Sequence, residues 1–97
     1  MTDSAIHVAI HGRVQGVGYR AWTEHKAKLR GLSGWVRNRR DGTVEAVFAG
    51  PADAVDAMVA DCNRGPRGSA VERVDERETA PGEQPQAGTG FEVRPTA

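Results

Sequence analysis

Near the middle of the chain, the stretch "SGWVRNRRDGTVEAVFAG", residues 33–50, leaves the backbone little freedom. Two runs of β-prone residues flank Asp41-Gly42. Asp-Gly suits a two-residue type I′ turn, whose central residues both need positive φ, so the stretch predicts a β-hairpin. On its second strand Val44, Ala46 and Phe48 share one face. That apolar face has to be covered by another layer of structure.

The flanking segments can supply the cover. Upstream, "AIHVAIHGRV" alternates, with Ile6, Val8 and Ile10 on one side and His7, Ala9 and His11 on the other, the pattern of a half-buried strand. A glycine-rich loop follows over residues 12–19. Residues 20–30, "RAWTEHKAKLR", contain strong helix formers and no Gly or Pro. Trp22 and Leu29 lie two turns apart on one face of that helix, and Gly31 is a natural stop. Downstream, "GPADAVDAMVADCNRGPRG" predicts a second helix. Pro51 fits its first position. Val55, Met58, Val59 and Cys62 form an apolar stripe, and Gly65-Pro66 closes it.

"SAVERVDERE" reads as a further strand. Its Val71 and Val74 are three apart, which predicts a bulge or an irregular start. Residues 79–90 are rich in Pro, Gly and Gln and read as a surface loop. "FEVRP" adds a short edge strand, with Phe91 and Val93 facing in and Pro95 ending it. The order is β-α-β-β-α-β with a last strand. This predicts an α+β, ferredoxin-like split βαβ sandwich: two helices on one face of a four- to five-stranded antiparallel sheet.

At 97 residues the expectation is a single domain spanning 1–97. The 13 Lys+Arg and 13 Asp+Glu give a formal net charge of +0, which removes the basic excess expected of a general nucleic-acid binder. Cys62 is the sole cysteine, so neither an internal disulfide nor a cysteine metal cluster is expected. The N-terminal residues lack the charged-then-apolar order of a signal peptide. No stretch nears the ~18 apolar residues of a membrane span. The default expectation is a cytoplasmic monomer with no membrane or nucleic-acid partner.

The stretch "HGRVQGVGYRAW" raises a chemical question, because its glycines lead to an arginine at a helix start. One reading is a tight turn followed by a surface charge. A P-loop would need Lys-Ser/Thr after the glycines, where this chain has Tyr19-Arg20. "GVGYRA" matches a dinucleotide fingerprint, with Asp41 about twenty residues on. However, Asp41 sits in a hairpin turn and the chain is too short for two mononucleotide halves. An anion cradle uses every feature: glycines let consecutive N–H groups turn to one point, the helix start adds its positive dipole end, and Arg20 adds a planar fork. A small phosphate or carboxylate would fit.

Asn38 is a second candidate, at the exit end of the hairpin's first strand; periodicity leaves open whether it meets the loop or only serves the turn. Arg37, Arg39 and Arg40 beside it are either a solvated surface or a means of attracting an anion. His7, His11 and His25 have no metal-ligand spacing and read as surface or partly buried residues. Cys62, Trp22 and Trp35 read as core.

"GRVQGVGYR" followed by "GWVRNRRDGTVE" resembles the acylphosphatases, small enzymes that hydrolyse carboxyl–phosphate anhydrides. The resemblance runs on through Gly65-Pro66, the Ala70-Val71 region and the final "FEV", roughly residues 5 to 95. It implies a ferredoxin-like fold, in agreement with the order of elements. It further implies that Arg20 binds phosphate, that the backbone amides of Gln15, Gly16, Val17, Gly18, Tyr19 and Arg20 form the phosphate cradle, and that Asn38 orients the attacking water. Neither a metal nor another cofactor is implied. Tyr19 and Trp22 depart from the residues common in the family but keep an aromatic body. Leu29 departs too: the family's apolar residue directly precedes the glycine, where this chain has Arg30-Gly31, so the last helical turn is expected to rotate. Residues 79–90 are long for the family.

The chemistry is self-consistent without a general acid. The leaving carboxylate has a conjugate acid of pKa around 4, comparable to Asp or Glu, and needs no proton. Charge stabilisation and water placement dominate a loose phosphoryl transition state. Two alternatives stand beside this one. A non-catalytic ferredoxin-like module could bind an anion or RNA, but RNA binders stack bases on exposed sheet aromatics, and this chain's 2 Trp, 1 Tyr and 2 Phe form no such pattern. A carbamoyl-phosphate-handling domain of a larger maturation enzyme is disfavoured by the lack of zinc-finger cysteines.

Overall fold

In the computed structural model, which describes residues 3–80, 82–85 and 88–97, the alternating N-terminal stretch is strand β1 (Asp3–Arg13). Helix α1 (Tyr19–Leu29), strands β2 (Ser33–Asn38) and β3 (Val44–Pro51), helix α2 (Ala52–Arg64) and strands β4 (Ala70–Glu78) and β5 (Phe91–Val93) follow. The sheet order is β4-β1-β3-β2-β5, with β1 at the side of β3 and β4 beyond it. This is the split βαβ arrangement, with one strand added. Among the described residues no helix is long and apolar enough to cross a membrane.

The core lies between the helices and the sheet face that carries Val8, Ile10, Val36, Val44, Ala46 and Phe48, all fully buried. From α2 come Val55, Met58, Val59 and Cys62, the stripe seen in the sequence. Pro51 is the residue before this helix and ends β3, one position earlier than expected. The β4 irregularity is also present: His11 pairs with Arg73 and Gly12 with Val71, so Glu72 is the extra residue of a bulge.

Helix α1 departs from its sequence pattern. Its buried residues are Tyr19, Thr23 and Ala27, whereas Leu29 is 70% exposed and Trp22 is half-buried. The cap explains this. The Leu32 amide donates to the Ala27 carbonyl (2.9 Å) and the Gly31 amide to that of Lys28 (3.1 Å), a Schellman motif around Gly31 at φ +69. That turn carries Leu32 into the core, 3% exposed, and leaves Leu29 outside.

The hairpin is present, but its turn is not type I′. Among the described residues no non-glycine has positive φ, so Asp41 does not. Instead Arg39 and Thr43 close a three-residue connection, 40–42, through Arg39 N–H to Thr43 C=O (2.9 Å) and Gly42 N–H to Arg39 C=O (3.1 Å). Gly42, at φ +94, takes the position that requires it. Asp41 contributes through its side chain, whose Oδ1 accepts from the Thr43 amide and hydroxyl at 2.9 and 2.6 Å.

The sheet is mixed rather than purely antiparallel, because β5 runs parallel to β2. Strands β4 and β5 lie on opposite edges, about four strand spacings or ~19 Å apart. The chain between them must cross the sheet, and that is why residues 79–90 are long. Glu83 pairs with Arg77 (2.9 Å), and Gln84 and Pro85 line a cavity with Ala5, Ser33 and Ala49. The crossing therefore lies at the end where β1 and β2 begin. Phe91 is buried as expected and stacks on Phe48, but Val93 is 41% exposed.

The face turned from the helices carries a charged cluster. His7, 6% exposed and so more buried than its sequence context suggests, places Nε2 2.7 Å from Glu45 Oε2. Arg37 and Arg39 both reach Glu45 Oε1, at 2.6 and 3.3 Å. Trp35 is buried between the Arg37 and Arg94 guanidinium groups, 4.8 and 4.7 Å from its ring centre.

Candidate functional site

Strand β1 ends at Arg13, and the chain then turns through the glycine loop into α1. Gly16 and Gly18 have φ of +75 and +79, and Gly18 is the residue capping the helix N-terminus. This left-handed geometry turns successive amides toward one side, as in a nest. Among the described residues, no protein group accepts from the backbone N–H groups of residues 15–20. The first turn of a helix leaves such donors unpaired and concentrates the positive end of its dipole there.

The loop is held from two sides. Gln15 donates through Nε2 to the carbonyls of Arg39 and Thr43, at 2.7 and 2.8 Å, which fastens the loop to the β2–β3 hairpin. Tyr19 donates its hydroxyl to the Cys62 carbonyl at 2.6 Å, which ties the start of α1 to the end of α2. Burial first, and then contact with Cys62, push the Tyr19 phenol well above its ordinary value, so it is an anchor and not a proton donor to the site. The sequence suggests a role for the Gln15 backbone amide but none for its side chain. Its clamp joins residues 24 and 28 positions apart, and no local pattern signals that.

The fold brings Arg20 and Asn38 to one cavity of about 360 Å³, which they line together with Gly16, Gly18 and Tyr19. The question left open by periodicity is answered by topology: β2 runs so that its C-terminal end lies beside the loop that follows β1. Among the described residues no ion pair joins Arg20 to a carboxylate; Glu24, on the same cavity wall, pairs with Lys28. The side-chain carbonyl oxygen of Asn38 is buried and accepts no hydrogen bond from the protein. Val14, Ala21, Glu24 and Val93 complete the wall. Of these, Glu24 was legible in principle, four residues after Arg20 on the same helix face.

Arg37 and Arg39 do not face this cavity; they turn to Glu45 on the other side of the sheet. Among the described residues no group of three or more His, Cys, Asp or Glu could hold a metal ion.

A sequence model of the acylphosphatase family matches residues 6–93. The chain belongs to the acylphosphatase family. An acylphosphatase of Azorhizobium caulinodans is 59% identical over 91 residues, 94% of this chain and 95% of that one. The solved acylphosphatase of Coxiella burnetii superposes with a TM-score of 0.86 at 34% identity, covering 95% of this chain and 93% of its own. That of Bacillus subtilis gives 0.84 at 31%, covering 96% and 99%. The activity is thus the acylphosphatase reaction, hydrolysis of an acyl phosphate to a carboxylate and inorganic phosphate.

Proposed function

We propose that this acylphosphatase works by in-line attack of a positioned water on the phosphorus atom, with Arg20 and Asn38 as its catalytic residues and no metal ion. The observation that carries the reading is the single cavity shared by Arg20, Asn38 and the glycine loop. The Arg20 guanidinium and the amides of Gln15, Gly16, Val17, Gly18, Tyr19 and Arg20 hold the three non-bridging phosphate oxygens. Their charge and donors act where negative charge is spread in the transition state. Asn38, a wall residue of the same cavity, holds the water through its side-chain amide and aims it opposite the leaving group.

The bonds balance simply. Water oxygen bonds to phosphorus while the bridging P–O bond breaks, and that electron pair leaves on the carboxylate. A proton of the water passes to a phosphate oxygen. A carboxylate leaves unaided, whereas the alkoxide of a phosphomonoester does not, so monoesters are poor substrates. We further propose that the chain is a single domain, 1–97, acting as a cytoplasmic monomer. That placement is supported by one unpaired cysteine and by the small size of the fold.

The test is phosphate release from benzoyl phosphate with EDTA present, with p-nitrophenyl phosphate as the poor-substrate control. Wild type turns over the acyl phosphate; Arg20→Ala and Asn38→Ala each lose on the order of 10²-fold or more in kcat/KM. Arg20→Ala also loses competitive inhibition by inorganic phosphate. Full activity in either variant, or loss of wild-type activity on chelation, would overturn the assignment.

A further inference from the structure

Resting on that reading of the site, we propose that Glu24 selects the acyl group by charge: it favours acyl chains that carry a cationic group and disfavours those with a second carboxylate. The cavity has two unlike ends. Arg20 and the loop amides make one end positive. One helical turn further on, Glu24 lines the same cavity, with Ala21 and Val93 as its apolar neighbours. Glu24 is not consumed by Arg20. Its Oε2 lies 3.4 Å from Lys28 Nζ, in a pair whose side chains are 33% and 59% exposed. An exposed pair of this kind is weakly held and leaves the carboxylate's field in the cavity. Val93, 41% exposed, stands at the cavity wall, where it offers contact to the body of an acyl chain.

In-line attack sends the acyl group away from the water, and Glu24 is a wall residue of the same cavity. With phosphate on the cradle and water on the Asn38 side, the acyl chain extends along the remaining wall. Four residues of helix rise place Glu24 about 6 Å along the axis from Arg20, the reach of a short acyl chain.

Three benzoyl phosphates of similar shape test this: the parent, a 4-carboxy derivative and a 4-(trimethylammoniomethyl) derivative. The readout is kcat/KM of Glu24→Gln over wild type for each substrate, a ratio that cancels the differing leaving-group electronics. The ratio should be highest for the carboxylated substrate, intermediate for the parent and lowest for the cationic one, with a spread of about tenfold at low salt that narrows at 0.5 M NaCl. Lys28→Met, which removes the counter-ion without touching the cavity, should widen the wild-type preference for the cationic substrate. A spread below about threefold, or the reverse order, would overturn the role of Glu24 while leaving the hydrolytic site intact. Failure of wild type to hydrolyse any of the three would instead sink the reading of the site, and this inference with it.

Discussion

Gly18 shows how a single residue couples backbone to chemistry. It caps α1 at φ +79, and a Cβ there would meet nothing within 4 Å. The penalty for Gly18→Ala is therefore conformational and not steric, roughly 1–2 kcal/mol if the loop keeps its shape. The loop can also relax and turn its amides away. We expect Gly18→Ala to fold, to lose about that much stability and to raise the dissociation constant for phosphate, measured by chemical denaturation and by inhibition with inorganic phosphate. Cys62 is the opposite case, a residue with no access. It is fully buried on α2, and burial pushes its thiol up to about 12. Native protein should leave an aromatic disulfide reagent unreacted, with one thiol appearing on unfolding; rapid reaction of folded protein would contradict the packing.

Among the elements, α1 carries the lesson about caps. Leu29 shares a helical face with Trp22 in the sequence, yet the Schellman turn gives its place in the core to Leu32. Leu29→Lys should therefore change stability by no more than about 0.5 kcal/mol, as for other exposed positions, while Leu32→Ala should cost roughly 2–5 kcal/mol. Thermal unfolding of the two variants distinguishes them directly. The hairpin makes a related point. Asp-Gly was legible as a turn, but the type was not, because Asp41 works through hydrogen bonds to Thr43 and not through positive φ. The expected hairpin survives either way, since both turns join the same two strands.

For the whole molecule, acid is the natural probe, because buried carboxylates tie separate elements together. Burial opposes ionisation of Glu45, but hydrogen bonds from His7 and Arg37 outweigh it and hold the carboxyl below its ordinary value. Asp61, 3% exposed on α2, behaves likewise: burial is overcome by Arg30 from the end of α1 and by Arg64. A carboxyl depressed in the folded state adds stability above its unfolded pKa, and that stability fades as pH falls through the folded value. Unfolding free energy should thus fall below about pH 4. Glu45→Gln should be less stable than wild type at pH 7 and should show a shallower acid limb, since it has one carboxyl fewer to protonate. Parallel acid limbs in the two proteins would show that Glu45 plays no part.

Local pattern was sufficient for what depends on neighbouring residues. Alternation over residues 5–14, the α2 stripe and the Val44, Ala46, Phe48 face are statements about which side of an element is apolar, and the core followed them. Arg20 stands out as a candidate anion ligand for the same reason, since glycines and a helix start lie directly before it. The parallel placement of β5, the burial of His7 against Glu45 and the Gln15 clamp depend on strand order and on pairings between distant residues. Asn38 is the clearest instance. Its own surroundings say only that it precedes a turn, and it becomes a neighbour of Arg20 because β2 pairs with β3, β3 with β1, and the ends of β1 and β2 fall on the same edge of the sheet.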